Sequence, residues 1–198
     1  LTTNTVGSTG AGAASSITGT VGILTCQSNR FLDNSTNNAS VTVGAGAPKV
    51  ISAVPFALSS SYGTYGSAYF DGTGDYCSIT GTSGNALGSG DFTVEFWFNM
   101  TGTTGQGASG EQGMIGSGIN TASRWMIRLQ ATPKIMSFWL NTPSNNVTGT
   151  TQIATNRWYH VALVRSGSGT NNCKLYLNGV LECQGTNTYT VPTDDIVF

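Results

Sequence analysis

Between Phe92 and Asn99 the chain alternates strictly, and "FTVEFWFN" sets Phe92, Val94, Phe96 and Phe98 on one side of an extended strand. Thr93, Glu95, Trp97 and Asn99 fall on the other side. The first set predicts a face buried between two sheets. The second carries Trp97 and Glu95 side by side, on the outside of one sheet or in its groove. Strand signals recur in "SVTV" (40–43), "SAYFDG" (67–72), "YCSIT" (76–80), "GMIGSG" (113–118), "RWMIRLQ" (124–130), "KIMSFWLN" (134–141), "WYHVALVRS" (158–166) and "CKLYLNGVLECQ" (173–184). Clusters of Gly, Asn, Ser and Thr separate them. No long stretch places apolar residues at i, i+3, i+4 and i+7. Many short strands joined by polar turns predict an all-β antiparallel sandwich or barrel.

Asn178-Gly179 marks a hairpin within "CKLYLNGVLECQ". A two-residue turn would set Lys174 opposite Cys183 and Leu175 opposite Glu182. A three-residue turn, with Gly179 left-handed in a bulge, would set Lys174 opposite Glu182, Leu175 opposite Leu181 and Cys173 opposite Cys183. The second register pairs charge with charge and apolar with apolar, so it is the one expected. It would bring Cys173 and Cys183 within reach of a bridge in an oxidising compartment.

The pattern changes near residue 65. Residues 1–22 are small and polar, and residues 23–60 mix short apolar pieces with the loop "DNSTNNAS". Residues 1–65 therefore read as an extended N-terminal arm or connector, and 66–198 as the domain proper. The first residue is Leu, which fits a piece of a longer chain or a processed product.

Composition narrows the function. Only 9% of the 198 residues are charged, against about 25% in ordinary globular proteins. With 10% aromatics the chain can still build a core, so Thr, Ser, Asn and 27 Gly must cover its surface. Extracellular β-proteins, fibres and many-subunit shells have such surfaces. The net charge is -1, Lys49, Lys134 and Lys174 lie far apart, and the five Arg are scattered. That excludes a nucleic-acid footprint. No apolar run approaches the roughly 18 residues that membrane insertion needs. The four cysteines form no C-x-x-C pair, so zinc is not expected.

Catalysis finds little support. His160 is the only histidine; Trp158, Ala162 and Val164 share its face of the strand, and Tyr159, Val161 and Leu163 fill the other. A histidine base needs a nucleophile or an orienting carboxylate, and no Gly-x-Ser-x-Gly occurs, so His160 reads as structural. Glycoside hydrolysis needs two carboxyl groups about 5 to 9.5 Å apart. The only glutamates are Glu95, Glu111 and Glu182, and Glu95 has Thr93 and Trp97 as same-face neighbours. A hydrolase would need a non-standard acid pair. Asp71 and Asp75 flank a Gly-rich turn in "FDGTGDY". They are either a hairpin turn with its cap or two ligands of a calcium ion. Asp194-Asp195 is a second such pair. No cofactor other than calcium is expected. Trp97 and Trp139 are the candidates to stack on sugar rings; Trp125 and Trp158 complete the tryptophans.

"SAYFDGTGDYCSI", "GSGDFTVEFWFNM", "RWYHVALVRSGSG" and "CKLYLNGVLE", in that order, resemble a laminin G-like domain of the concanavalin A-like lectin/glucanase superfamily over about residues 66–198. The resemblance implies a jelly-roll sandwich of two antiparallel sheets. It also implies a structural role for His160, since the family tends to "W-H-V-A" there, and calcium in many members, though not through "FDGTGDY". Glucanases of the superfamily carry Glu-x-Asp-x-Glu on one strand, which this chain lacks. Two departures stand out. Cys77 replaces a usual Leu, and the family continues past "DDIVF" with at least one closing strand.

The segment "ILTCQSNRFLDNSTNNASVTVGAGAPKV", followed by "PFAL", resembles the connector before such domains in virion structural proteins of tailed bacteriophages, notably those of marine cyanobacteria. This implies a non-enzymatic attachment module on the virion surface, as a tail fibre, whisker or capsid decoration. Its partners would be other virion proteins or copies of itself, and cell-surface polysaccharide. Assembly in a reducing cytoplasm would leave its thiols free. The alternative is a secreted bacterial carbohydrate-binding lectin or adhesin.

Overall fold

A computed structural model describes residues 20–25, 30–55, 66–102, 110–117, 124–131, 134–141 and 146–198. Residues 1–19, Cys26 and most of "PFAL" lie outside them. The described strands, in chain order, are β1 (Val41–Val43), β2 (Lys49–Ile51), β3 (Ser67–Tyr69), β4 (Cys77–Ile79) and β5 (Phe92–Asn99). Then come β6 (Gln112–Ser117), β7 (Arg124–Leu129), β8 (Ile135–Asn141) and β9 (Val147–Gln152). Last are β10 (Trp158–Arg165), β11 (Cys173–Leu177), β12 (Val180–Gly185) and β13 (Ile196–Val197). Two sheets form the sandwich: seven strands ordered β1-β4-β13-β6-β7-β8-β9, and four ordered β12-β11-β10-β5. β2 and β3 make a separate ribbon. All pairings are antiparallel, and no helix occurs among the described residues.

The period of two decides what lies between the sheets. β5 and β10 pair along their whole length, from Trp158 opposite Asn99 to Arg165 opposite Phe92. Slipping this register by one residue would carry every apolar side chain to the solvent side. Phe92, Val94, Phe96 and Phe98 thus meet Tyr159, Val161 and Leu163 in the core, as the alternation predicts. From the other sheet come Trp125, Ile127 and Leu129 of β7 and Met136, Phe138 and Leu140 of β8. Val161, Leu163, Leu175, Ile127, Met136 and Leu140 are fully buried, each worth roughly 1.5–3 kcal/mol. Arg165 also points inward, 3% exposed, and closes one end of the core. Its guanidinium donates to the carbonyls of Tyr189 and Ser89 and lies 5.8 Å from the Phe92 ring centre.

The hairpin corrects the expected register. Leu177 faces Val180 across a two-residue turn, with Asn178 at φ 51° and Gly179 at φ 81°, both in the left-handed region such turns require. Tyr176 then faces Leu181, a bulge intervenes, and Leu175 faces Cys183, with Lys174 opposite Gln184 and Cys173 opposite Gly185. Neither register read from the sequence occurs. The extra residue is Glu182, and its carboxylate accounts for the bulge. It accepts the N–H of Thr150 (2.5 Å), the N–H of Thr151 (2.7 Å) and the Thr151 hydroxyl (2.7 Å) on β9. One side chain thereby ties the edge of one sheet to the edge of the other. Cys173 and Cys183 do not face each other, and both carry thiols. Burial, and then the neighbouring Glu182, pushes the Cys183 thiol up to about 12.

The segment before residue 66 contributes directly to the sandwich. β1 pairs with β4, from Val41 opposite Ile79 to Val43 opposite Cys77. Ile23 packs against the core. Asp33, 4% exposed, collects the N–H groups of Leu24, Ser35 and Ala39 and the Ser35 hydroxyl. Burial alone would raise its pKa; these donors outweigh burial and hold it below the usual value. The Asn37 amide donates to the carbonyls of Gly22 and Gly84, fastening this knot to the turn after β4.

Candidate functional site

Directly opposed residues of antiparallel strands share a face, so the register defines the outer surface of the four-stranded sheet. One row across it runs Glu95, Ala162, Tyr176, Leu181, and the next runs Thr93, Val164, Lys174, Gln184. Trp97 lies opposite His160, their ring centres 5.1 Å apart and tilted by 53°. The His160 backbone N–H donates to the Asn178 side chain, and its carbonyl accepts the Asn178 N–H. The histidine is thus built into the hairpin turn as a sheet residue.

His160 is only 4% exposed although it sits on an outer face. Its Nε2 lies 3.6 Å from Glu95 Oε2, beyond hydrogen-bonding distance. Its Nδ1 has no hydrogen-bond partner among the described residues. Burial lowers its pKa, and the Glu95 carboxylate offsets part of that. A neutral imidazole in loose contact with a half-exposed carboxylate is not an oriented base. Glu95 is also the sole carboxylate on the outward positions of β5, β10 and β11. Acid–base cleavage of a sugar linkage would find no second carboxyl on these strands.

The two candidate sugar-stacking tryptophans lie on opposite sides of the molecule. Trp97 faces out from the four-stranded sheet. Trp139 alternates with Met136, Phe138 and Leu140 and so faces out from the seven-stranded sheet. Arg128 lies over the Trp139 ring, 4.7 Å from its centre, while pairing with Glu111. Trp125 is core, and Trp158 is half-buried at the start of β10.

Asp71 and Asp75 sit in an exposed turn with Gly72 at φ 84° and Gly74 at φ 77°. Asp71 accepts the Thr73 N–H at 2.7 Å, and Asp75 Oδ2 accepts the Asp71 N–H at 2.8 Å. The carboxylates therefore fold their own loop. Asp75 Oδ1 is shielded and has no hydrogen-bond partner among the described residues. Asp195 accepts the Gly81 N–H, and Asp194 the Asp195 N–H. Among the described residues, no three His, Cys, Asp or Glu side chains gather as a metal-ligand set.

Sequence reasoning missed one feature altogether. A cleft of about 430 Å³ opens where β9 and the chain after β12 approach each other, and Asn146, Thr186 and Thr188 stand on its walls. Isolated Thr and Asn in loops leave no periodic signal, and only folding assembles them.

A family profile described as the concanavalin A-like lectin/glucanases superfamily, of laminin G-like type, matches residues 71–197. No curated protein matches the chain in sequence. Among solved structures, the binding domain of Paraclostridial Mosquitocidal Protein 1 is similar at TM-score 0.65 and 14% identity, covering 86% of this chain and 41% of that one. The binding domain of botulinum neurotoxin serotype D is similar at TM-score 0.61 and 21% identity, covering 86% and 40%. This chain therefore spans about two fifths of those two domains, and at such identities they establish the fold alone. A carbohydrate binding module from Bacillus subtilis reaches TM-score 0.45 at 13% identity, over 81% of this chain and 88% of that one. The profile covers well over half of the residues and the topology agrees with it: the chain belongs to the concanavalin A-like lectin/glucanase superfamily, in its laminin G-like branch.

Proposed function

We propose that this is a non-enzymatic recognition module on the surface of a tailed-phage virion, as part of a tail fibre, whisker or capsid decoration. It packs against other virion proteins or copies of itself and takes host-surface polysaccharide on the outer face of the four-stranded sheet. The observation that carries this reading is that face itself. It offers the Trp97 indole against His160, with Glu95 two residues away on the same strand and Tyr176 two strands across in the Glu95 row, and no second acid on the outward positions of β5, β10 and β11. An indole beside polar groups suits the apolar face of a sugar ring, and a lone carboxylate accepts hydroxyl protons without cleaving the linkage. The scarcity of charge and the phage-like "ILTCQSNRF" segment support the virion setting.

The test is binding of the purified chain to host-envelope polysaccharides, with calcium and with chelator, together with mass spectrometry of purified particles. Saturable binding that Trp97→Ala weakens tenfold or more is expected, as for a central aromatic anchor. Binding unchanged in Trp97→Ala would remove this face from the site. Absence of the protein from particles would move it to the secreted-lectin reading. Loss of binding on chelation would make Asp71 and Asp75 calcium ligands rather than turn residues alone.

A further inference from the structure

The cleft beside β9 lies apart from the Trp97 face and has its own chemistry. Its apolar lining comes from half-buried Val147, with Phe138, 2% exposed, behind it in the core. Its walls carry the Asn146 amide and the Thr186 and Thr188 hydroxyls, with Tyr189 at one side. Among the described residues, none lining it bears a charge. At about 430 Å³ it falls in the range of small-molecule clefts, roughly 300–1,000 Å³.

The walls are held in place before any ligand arrives. Asn187 donates from its side chain to the Leu140 carbonyl (3.1 Å) and accepts the Tyr189 N–H (2.8 Å). Its own backbone N–H donates to the Asn172 side chain, and its carbonyl accepts from that side chain, both at 2.8 Å. Gly185 lets the end of β12 close on β9, since a Cβ there would meet Val147 Cγ2 at 2.8 Å. Loops fixed this way lose little freedom on binding. On the opposite wall Asn146 donates to Thr148, while its Oδ1 is shielded and has no hydrogen-bond partner among the described residues. Turning that amide toward a hydroxyl donor in the cleft would give the oxygen a partner in exchange for the Thr148 bond.

Half-buried Val147 and Tyr189 beside uncharged hydroxyl and amide groups match a ring with one CH face and an edge of hydroxyls. A charged ligand would be desolvated there without a counter-charge. We propose that this cleft is a second saccharide site, selective for neutral sugars over uronic and other acidic ones. The inference rests on the saccharide-recognition reading but not on Trp97.

The experiment is an amide NMR titration of the full chain with neutral gluco- and manno-oligosaccharides and with the corresponding uronic-acid oligomers. Thr186, Asn187 and Thr188 signals should shift with at least one neutral sugar, in the wild type and in Trp97→Ala alike. Uronic-acid oligomers should bind at least tenfold more weakly. Thr188→Trp, at an exposed position, fills the cleft and should abolish the shifts, and Asn146→Ala should weaken binding severalfold in an otherwise native spectrum. The proposal is overturned if no neutral sugar shifts these signals, if acidic oligomers bind equally well, or if Thr188→Trp leaves the shifts intact. If Trp97→Ala removes the cleft shifts too, the second site fails while the Trp97 face stands. If the cleft shifts persist and Trp97→Ala changes nothing elsewhere, the Trp97 face fails while the cleft stands.

Discussion

The β5–β10 seam and the β9–β12 edge are held together in opposite ways. Along β5 and β10 every residue of one strand faces a residue of the other, and the inward set is apolar up to Arg165 at one end. The join is spread over many contacts, none indispensable. Between β9 and β12 there is no strand pairing, and the Glu182 carboxylate concentrates the contact on the backbone of Thr150 and Thr151. The first arrangement is set by hydrophobic area and resists salt and pH. The second is set by one ionised group and a bulge, and is sensitive to both.

The contrast is open to attack, beginning where the largest loss is expected. Leu163→Ala removes a fully buried side chain beside the seam and should cost about 2–5 kcal/mol in urea unfolding. A loss below 1 kcal/mol would mean that the core there is loosely packed. Glu182→Ala should cost less, about 1–2 kcal/mol, because its hydrogen bonds are charge-assisted but lie near water. Burial alone would raise the Glu182 pKa, but the Thr151 and Thr150 donors hold it below the usual value. Its stabilisation is therefore complete above the unfolded-state value, near 4.3, and fades as the pH falls through the lower folded-state value. Wild type should lose stability over that acid window and Glu182→Ala should lose less; parallel pH profiles would refute the role given to this carboxylate.

The smallest effect tests the outer face. His160 is the only histidine, so its titration by NMR is unambiguous. Its midpoint should lie below the ordinary 6.5 because burial disfavours the imidazolium. Glu95→Gln removes the one neighbouring charge that raises it, so the midpoint should drop further. A rise, or no change, would show that Glu95 and His160 do not sense each other across the strands.

The seam was legible in the sequence and the edge was not, for a physical reason. Burial between two sheets repeats every second residue, so "FTVEFWFN" and "WYHVALVR" announce their faces. β9, "VTGTTQ", has no such pattern. It forms because β8 offers a partner and Glu182 satisfies its outer N–H groups. The hairpin register failed for the same cause. Opposing residues within the hairpin argued for Glu182 facing Lys174, while the stronger acceptor demand came from a strand some thirty residues earlier. β13 was invisible too, since two residues carry no periodicity. Among candidate site residues, alternation put Trp97 on an outer face, but nothing local told that Trp139 lies beneath an arginine on the other side.

β13 has a consequence for the timing of synthesis. It lies between β4 and β6, so the ladder of the seven-stranded sheet runs through two residues that follow β12 in the chain. A chain emerging at about 5–20 residues per second has β1 and β4 available long before this strand. Until Ile196 and Val197 arrive, that pair has no backbone partner joining it to β6 through β9. The seven-stranded sheet therefore cannot close until β5 through β12 have all been made.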